Sequence, residues 1–436
     1  MSDRQHLLVR RTLRGESSAG SLIGANVLLA VTFVVGSPFF CPTRSPVSVL
    51  SRRDWLRNTG LGLGASVALP GLLPASQMAR VLGGNVPYSE LLAQMERDVN
   101  TVRKAAGPIR LMYNENPFGM SPKAKDALMG SWMQHAWYVP PVMDTIRETF
   151  AKYVGVPVDH VLVTQGSSEV LGVLALAYNM EGGEIVAPWP TFEDLPRWGD
   201  TLKATVHRIP LNQYLEHDLY AMDARVGSGT KLVFVCNPNN PTSNLTEDAT
   251  LREFVSNAAK RTTVVVDEAY IDFVDKPGHR SMIDLVLKGE SVVVSRTASK
   301  LHGLAGLRCG FAIARPDIIK RLQQYVSGDP NVFGQLAANA SLLDVEYQNF
   351  IKQKNREGRA LLLSSLATLG RKVAPSETNF VFFHTGKAIQ PVQQYFLSKG
   401  FVVGRAFPLY SDWCRVSIGT PDEMKQFCAV LPGLFA

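Results

Sequence analysis

The stretch Arg296-Thr297-Ala298-Ser299-Lys300-Leu301-His302-Gly303-Leu304-Ala305-Gly306-Leu307-Arg308-Cys309-Gly310-Phe311 decides how this chain is read. It follows a β-branched run and sets one lysine at the exit of that strand, with two hydroxyl residues just before it and an arginine eight positions later. Desolvating an ammonium is costly and lowers its pKa. A lysine at such an exit therefore suits an amine that must react with a carbonyl in its neutral form. Thr297, Ser299 and Arg308 are the donors that a phosphate beside that carbonyl would need. Pyridoxal phosphate carries both groups.

Three further segments extend this reading. Thr-Thr-Val-Val-Val-Asp-Glu-Ala-Tyr (262–270) is a β-branched strand ending in Asp267, the pattern of a strand buried on both faces of a parallel sheet. Ligands gather at the carboxyl ends of such strands. A carboxylate there can keep a pyridine nitrogen protonated, and Tyr270 can reach a ring hydroxyl; a lone Asp at that place is more often a helix N-cap. Lys231–Cys236 runs into Asn-Pro-Asn-Asn-Pro-Thr (237–242), a rigid loop whose Asn240 is a suitable donor to a phenolate oxygen. Val-Leu-Val-Thr-Gln-Gly-Ser-Ser-Glu-Val (161–170) gives strand, glycine turn and helix start, where free backbone N–H groups, Ser167 and Ser168 suit a phosphate. Taken alone, Ser167 reads more readily as an ordinary N-cap. Phe192, after strand 184–187, can stack on a pyridine ring or simply pack in the core.

Taken together and in this order, these residues resemble the class I/II aminotransferases, fold type I enzymes that use pyridoxal phosphate, and within them the histidinol-phosphate aminotransferase branch. The likeness spans about residues 108–425, from Tyr-Asn-Glu-Asn-Pro (113–117) to Arg-Val-Ser-Ile-Gly-Thr (415–420). It implies Lys300 as Schiff-base lysine and proton shuttle, Asp267 on the pyridine nitrogen, and Asn240 with Tyr270 on the ring oxygen. It implies phosphate binding by Ser167, Ser168, Thr297, Ser299 and Arg308, and ring stacking by Phe192 where a tyrosine is more usual. Arg415 corresponds to the arginine that grips the substrate carboxylate, Arg405 to a position at the far end of the substrate, and Tyr138 to a tyrosine reaching the cofactor phosphate of a partner subunit. The implied active unit is a homodimer with shared sites, acting on an amino donor and a 2-oxo acid acceptor by a ping-pong mechanism. Ser167-Ser168 stands where the family usually has Ala-Asp or a similar pair, and Ser243 where it usually has glycine. A decarboxylase or lyase on the same fold would use the same cofactor residues. A non-enzymatic cofactor-binding regulator would normally carry a DNA-binding extension.

The expected architecture is α/β: a large domain with a mostly parallel sheet sandwiched by helices, plus a smaller α+β domain. Strands are expected at about 161–164, 184–187, 205–209, 231–236, 262–267, 291–296 and 310–314, and one long helical stretch at 332–369. The expected boundaries are 1–79 leader, 80–120 a segment joining the small domain, 121–328 the large cofactor-binding domain and 329–436 the small domain. Of five cysteines, Cys41 lies in the leader and four lie in or beside apolar runs, with no metal spacing.

The first 80 residues carry nine arginines and three acids, so the net charge of +7 is mostly a leader property and gives no argument for nucleic-acid binding. Ser51-Arg52-Arg53-Asp54-Trp55-Leu56-Arg57, followed by the weakly apolar segment 59–75, resembles a twin-arginine export signal. It implies use of the export machinery and a periplasmic or exported protein, with cytoplasmic or membrane-anchored placement as the alternative. Residues 21–40 form a second apolar run, read as a misassigned start before Val47 or as a membrane anchor. Export would separate the enzyme from histidinol phosphate and favour another donor, chosen with the help of Arg405.

Overall fold

The computed structural model describes residues 86–105 and 107–436, so the twin-arginine segment and the apolar run before it lie outside the described residues. Eleven strands form among these residues: β1 (Ile109–Leu111), β2 (Val161–Thr164), β3 (Glu184–Trp189), β4 (Thr205–Pro210), β5 (Thr230–Cys236), β6 (Thr263–Asp267), β7 (Val292–Thr297), β8 (Gly310–Ile313), β9 (Phe380–His384), β10 (Phe401–Val403) and β11 (Trp413–Ser417). Seven make one sheet in the order β2-β8-β7-β6-β5-β3-β4. Its pairings are parallel except at β8, which runs against both β2 and β7.

Valine-rich central strands arise because both faces of the sheet are covered. Val233, Val235, Val264, Val266, Val292 and Val294 point into one core, which the helices Pro140–Val154 and Asp248–Ala259 close through Phe150 and Leu251. The alternate residues Leu232, Phe234, Val265 and Val293 point into the other, closed by Ser167–Asn179 and Pro316–Gln323 through Leu171 and Ile318. The period-2 alternation of the strand thus fills two hydrophobic layers at once.

The remaining strands pair apart from this sheet, β1 parallel with β10 and β9 antiparallel with β11. Leu111, Val381, Val403 and Val416 pack there with Leu362 and Leu366 of helix Val345–Thr368 and Phe427 of helix Pro421–Val430. The small α+β layer therefore takes a strand from before the large sheet and the rest from after it. Cys236, Cys309 and Cys414 are buried and Cys428 is half-buried, all as free thiols.

The long helical stretch expected over 332–369 is two helices, Val332–Leu342 and Val345–Thr368. Asp344 breaks it without help from glycine or proline, accepting a bond from the Tyr347 amide as N-cap of the second helix. Fully buried, it also takes an ion pair from Lys123 at 3.2 Å and a hydrogen bond from the Tyr88 hydroxyl. Asp344→Ala removes a cap and strands these partners, so it should lower unfolding free energy by about 2–4 kcal/mol. Urea unfolding should show a lower midpoint, and Asp344→Asn, which keeps the cap acceptor, should recover at least half of the loss.

Candidate active site

β2, β3, β5, β6 and β7 all run the same way, and β8, running against them, begins where they end. That edge opens into a cavity of about 360 Å³. The expected residues Ser167, Ser168, Phe192, Asn240, Asp267, Tyr270, Thr297, Ser299, Lys300, Arg308, Arg405 and Arg415 all line it. Tyr138 does not: at 93% exposure it stands on the surface within an apolar run containing Trp132, Met133 and Trp137.

One end of the cavity is built for an anion. Helix Ser167–Asn179 begins at Gly166, whose φ of +82° turns the chain so that the first amides of the helix are free. Gly166, and not Ser167, is the N-cap, and it leaves both serine hydroxyls lining the cavity. Arg308 lies directly over this turn, donating to the carbonyls of Gln165 and Ala305 at 3.3 and 2.9 Å. A Cβ on Gly166 would fall 2.2 Å from Arg308 Nη2, and one on Gly310 would fall 2.4 Å from the Ser167 nitrogen. Only glycine permits this approach. Thr297 Oγ1 donates to Ser299 Oγ at 2.9 Å and completes the donor set.

Asp267 ends β6 between Cys236 of β5 and Ser295 of β7. It is 1% exposed, caps no helix, and its Oδ1 has no hydrogen-bond partner. Burial pushes its pKa up to about 7, although the neighbouring Ser295 hydroxyl opposes the rise. A carboxylate in this state lacks a cationic N–H neighbour. Tyr270, beside it, accepts a hydrogen bond from Asn114 Nδ2 at 3.0 Å, and burial raises its pKa. Asn240 Oδ1 accepts from Arg415 Nη1, which leaves its amide N–H₂ to donate elsewhere. Phe192 is half-buried, its inner side packed on the core layer around Leu171.

Lys300 Nζ donates to the Tyr113 carbonyl at 3.3 Å and lies 5.6 Å from the centre of the Tyr270 ring. The residue is half-buried by surface because its ammonium faces the cavity, yet the enclosing protein still removes most of its hydration. Burial first, and then the charge of Arg415, push its pKa down to about 8. Arg415 in β11 is 7% exposed, donates to the Met112 carbonyl at 2.6 Å, and leaves Nε unpartnered. Burial lowers its pKa to about 10, so it remains a cation at neutral pH. Among the described residues no carboxylate pairs with it. A buried guanidinium without a counter-ion, facing a cavity that holds a lysine, has the chemistry to take a carboxylate or phosphate.

Sequence reasoning passed over Asn114, Glu193 and Asp194. Asn114 sits in the left-handed region (φ +54°) and ties the two sheet systems together: its amide donates to Ser417 Oγ, its carbonyl accepts from Asn379, and its side chain holds Tyr270. Its motif was visible at 113–117, but its partners lie far away in sequence.

The model of the aminotransferase class I and II family matches residues 106–431. The chain belongs to that family. A histidinol-phosphate aminotransferase from Moorella thermoacetica is 35% identical over 332 residues, covering 75% of this chain and 86% of that protein. A crystal structure from Erwinia carotovora atroseptica, assigned as a histidinol-phosphate aminotransferase, matches with TM-score 0.73 and 32% identity over 75% of this chain and 95% of that one. The histidinol-phosphate aminotransferase of Sinorhizobium meliloti, solved with pyridoxal 5'-phosphate, shares the fold at TM-score 0.71 and 22% identity, over 78% of this chain and 94% of that one. The fold is therefore fold type I, and this aminotransferase uses pyridoxal phosphate. The unpartnered Asp267 oxygen, the glycine-lined cradle under Arg308 and the depressed Lys300 amine fit the cofactor's ring nitrogen, phosphate and carbonyl.

The expected periplasmic location is corrected by these relatives, since histidinol-phosphate aminotransferases are cytoplasmic biosynthetic enzymes. The argument from export against histidinol phosphate as donor falls with it.

The Lys300 shift has a sign that can be measured. Its folded-state pKa lies below the ordinary 10.5, so the cost of the charged form is full below about pH 8 and fades as pH rises toward 10.5. In cofactor-free protein, Lys300→Met should therefore raise stability at pH 7, with a benefit that shrinks by pH 9.5. Thermal melts at the two pH values check this; a constant difference would show that Lys300 is not desolvated.

Proposed function

We propose that this family member moves the amino group of histidinol phosphate, or of a donor built like it, to a 2-oxo acid. The observation that carries the reading is Arg415, an uncompensated buried cation sharing one cavity with Lys300 and Asp267. The names of the 35%-identical relatives support the donor.

Pyridoxal phosphate, when bound, supplies an electron sink for the pair left behind as the donor's α proton departs. Ser167, Ser168, Thr297, Ser299, Arg308 and the helix amides would hold its phosphate. Asp267 would hold the proton on the ring nitrogen, a contact that relieves its own unpaired oxygen. Asn240 and Tyr270 would hold the ring oxygen, and Phe192 would cover the ring face. Arg415 would fix the donor's anionic group, turning the α proton toward Lys300. A pKa near 8 leaves a usable fraction of Lys300 neutral at physiological pH, so that Nζ can take up that proton and return it.

We further propose a homodimer with shared sites, in which the exposed run Trp132, Met133, Trp137 and Tyr138 meets the second copy and Tyr138 reaches its phosphate site. In the same reading 121–328 is the large cofactor-binding domain, 329–436 the small domain, and 80–120 the segment joining it.

Incubating the holoenzyme with histidinol phosphate and with common amino acids, while following the cofactor spectrum, tests the reaction. Conversion to the pyridoxamine form that a 2-oxo acid reverses supports transamination, whereas release of carbon dioxide from an amino acid without that conversion supports the decarboxylase alternative. Lys300→Ala should abolish the visible band of the lysine-bound cofactor and nearly all turnover. Arg415→Lys should lose about 3–5 kcal/mol of transition-state binding, roughly two to four powers of ten in kcat/KM, because an ammonium cannot reproduce the bidentate fork.

A further inference from the structure

Arg405 and Glu193 form an ion pair at the cavity rim, Nη2 to Oε1 at 2.8 Å. Glu193 immediately precedes helix Asp194–Thr201, and its side chain makes no capping bond there. Arg405 is held at two further points, donating to the Ala406 carbonyl at 2.9 Å and lying 4.5 Å from the centre of the Phe407 ring. Arg415 lies 5.0 Å from that same ring. Two guanidinium groups are thus spaced by one aromatic side chain, and both they and Glu193 line the cavity. Of the two, Arg415 has no carboxylate partner among the described residues, and Arg405 has one. The neighbouring cation Arg197 is likewise occupied, by Asp194 at 2.6 Å.

We propose that Glu193 is a specificity-determining residue: with Arg308 at the opposite, anion-binding end and Arg197 paired with Asp194, its hold on Arg405 leaves Arg415 as the guanidinium without a carboxylate partner among the described residues at the substrate end, and so disfavours ligands that carry a second anion. A ligand with one anionic group binds Arg415 and leaves the rim pair undisturbed. A ligand with a second anion must detach Arg405 from Glu193 and then sit beside the displaced carboxylate. Arg405 is 53% exposed and Glu193 29%, so the pair is a weak, solvent-screened one that a ligand can open at a cost of about two- to five-fold in affinity. Repulsion from the displaced carboxylate adds to that cost. Glu193 acts through Arg405 and touches no reacting atom.

This inference rests on the reading of the cavity as the substrate site, and the test separates the two. Glutarate and valerate have the same five carbons and differ in the number of carboxylates, and binding of either to the holoenzyme can be followed by its effect on the cofactor spectrum. Glu193→Gln should tighten glutarate about five-fold and leave valerate within two-fold, and the gain should vanish in Glu193→Gln with Arg405→Gln. Equal changes for both ligands, no change for either, or a gain that survives loss of Arg405 would overturn the role of Glu193. Arg415→Lys should weaken both ligands in all backgrounds. If it weakens neither, the reading of the cavity itself fails; if it weakens both while the glutarate-to-valerate ratio ignores Glu193, only the present inference fails.

Discussion

Holding a carboxylate out of water with one oxygen unpaired is unfavourable, and an isolated strand end would respond by swinging Asp267 toward solvent. The protein prevents this by pinning Asp267 within the ladder, opposite Cys236 on one side and Ser295 on the other, with valines filling both layers behind it. Close packing on both faces leaves the strand no alternative register, because a one-residue slip would exchange the two hydrophobic layers. The rigidity of the site is therefore that of the sheet. Lys300, three residues beyond β7, inherits it, as does the glycine cradle against which Arg308 is folded.

Polar groups at the cavity are arranged in two classes. Those in its interior include unpaired atoms, Asp267 Oδ1 and Arg415 Nε. Those at the rim are paired with each other, as in Arg405 with Glu193 and Arg197 with Asp194. Buried unpaired groups favour a ligand that satisfies them, whereas exposed paired groups contribute little stability and so can be exchanged. In the proposed reading, binding strength is concentrated at the inner end and selectivity at the mouth.

Much of this was legible in the chain because it depends on short sequence windows. Seven strands of the main sheet fell within a residue or two of where β-branched runs placed them, and the pocket residues sat at strand exits that a parallel sheet brings to one edge. What escaped detection depends on residues far apart. The break at Asp344 is enforced by Lys123 and Tyr88, more than 200 positions away, and carries no glycine or proline to mark it. Asn114 is defined by Tyr270, Asn379 and Ser417. Glu193 meets Arg405 across more than 200 residues, and nothing in the Pro-Thr-Phe-Glu-Asp segment distinguishes it from an ordinary helix start. Tyr138 belongs to a different category, since its surface position gives it no role within one copy of the chain.

The antiparallel strand β8 has a consequence for how the molecule is made. It separates β2 from β7, so the phosphate cradle joins a turn at residue 166 to an arginine at 308 across a strand pairing of very long sequence separation. Such pairings form late, after much loop-closure entropy has been lost. A chain still on the ribosome has no cradle until β8 has been synthesised and docked, however complete the Gly-Ser-Ser turn looks by then. If this cradle holds the cofactor phosphate, as proposed, capture follows that docking, and a ligand that recognises only the docked state pulls the whole assembly toward it by mass action. Cofactor supply in the cell would then influence how much of this chain reaches its folded form, and not only how much of it is active.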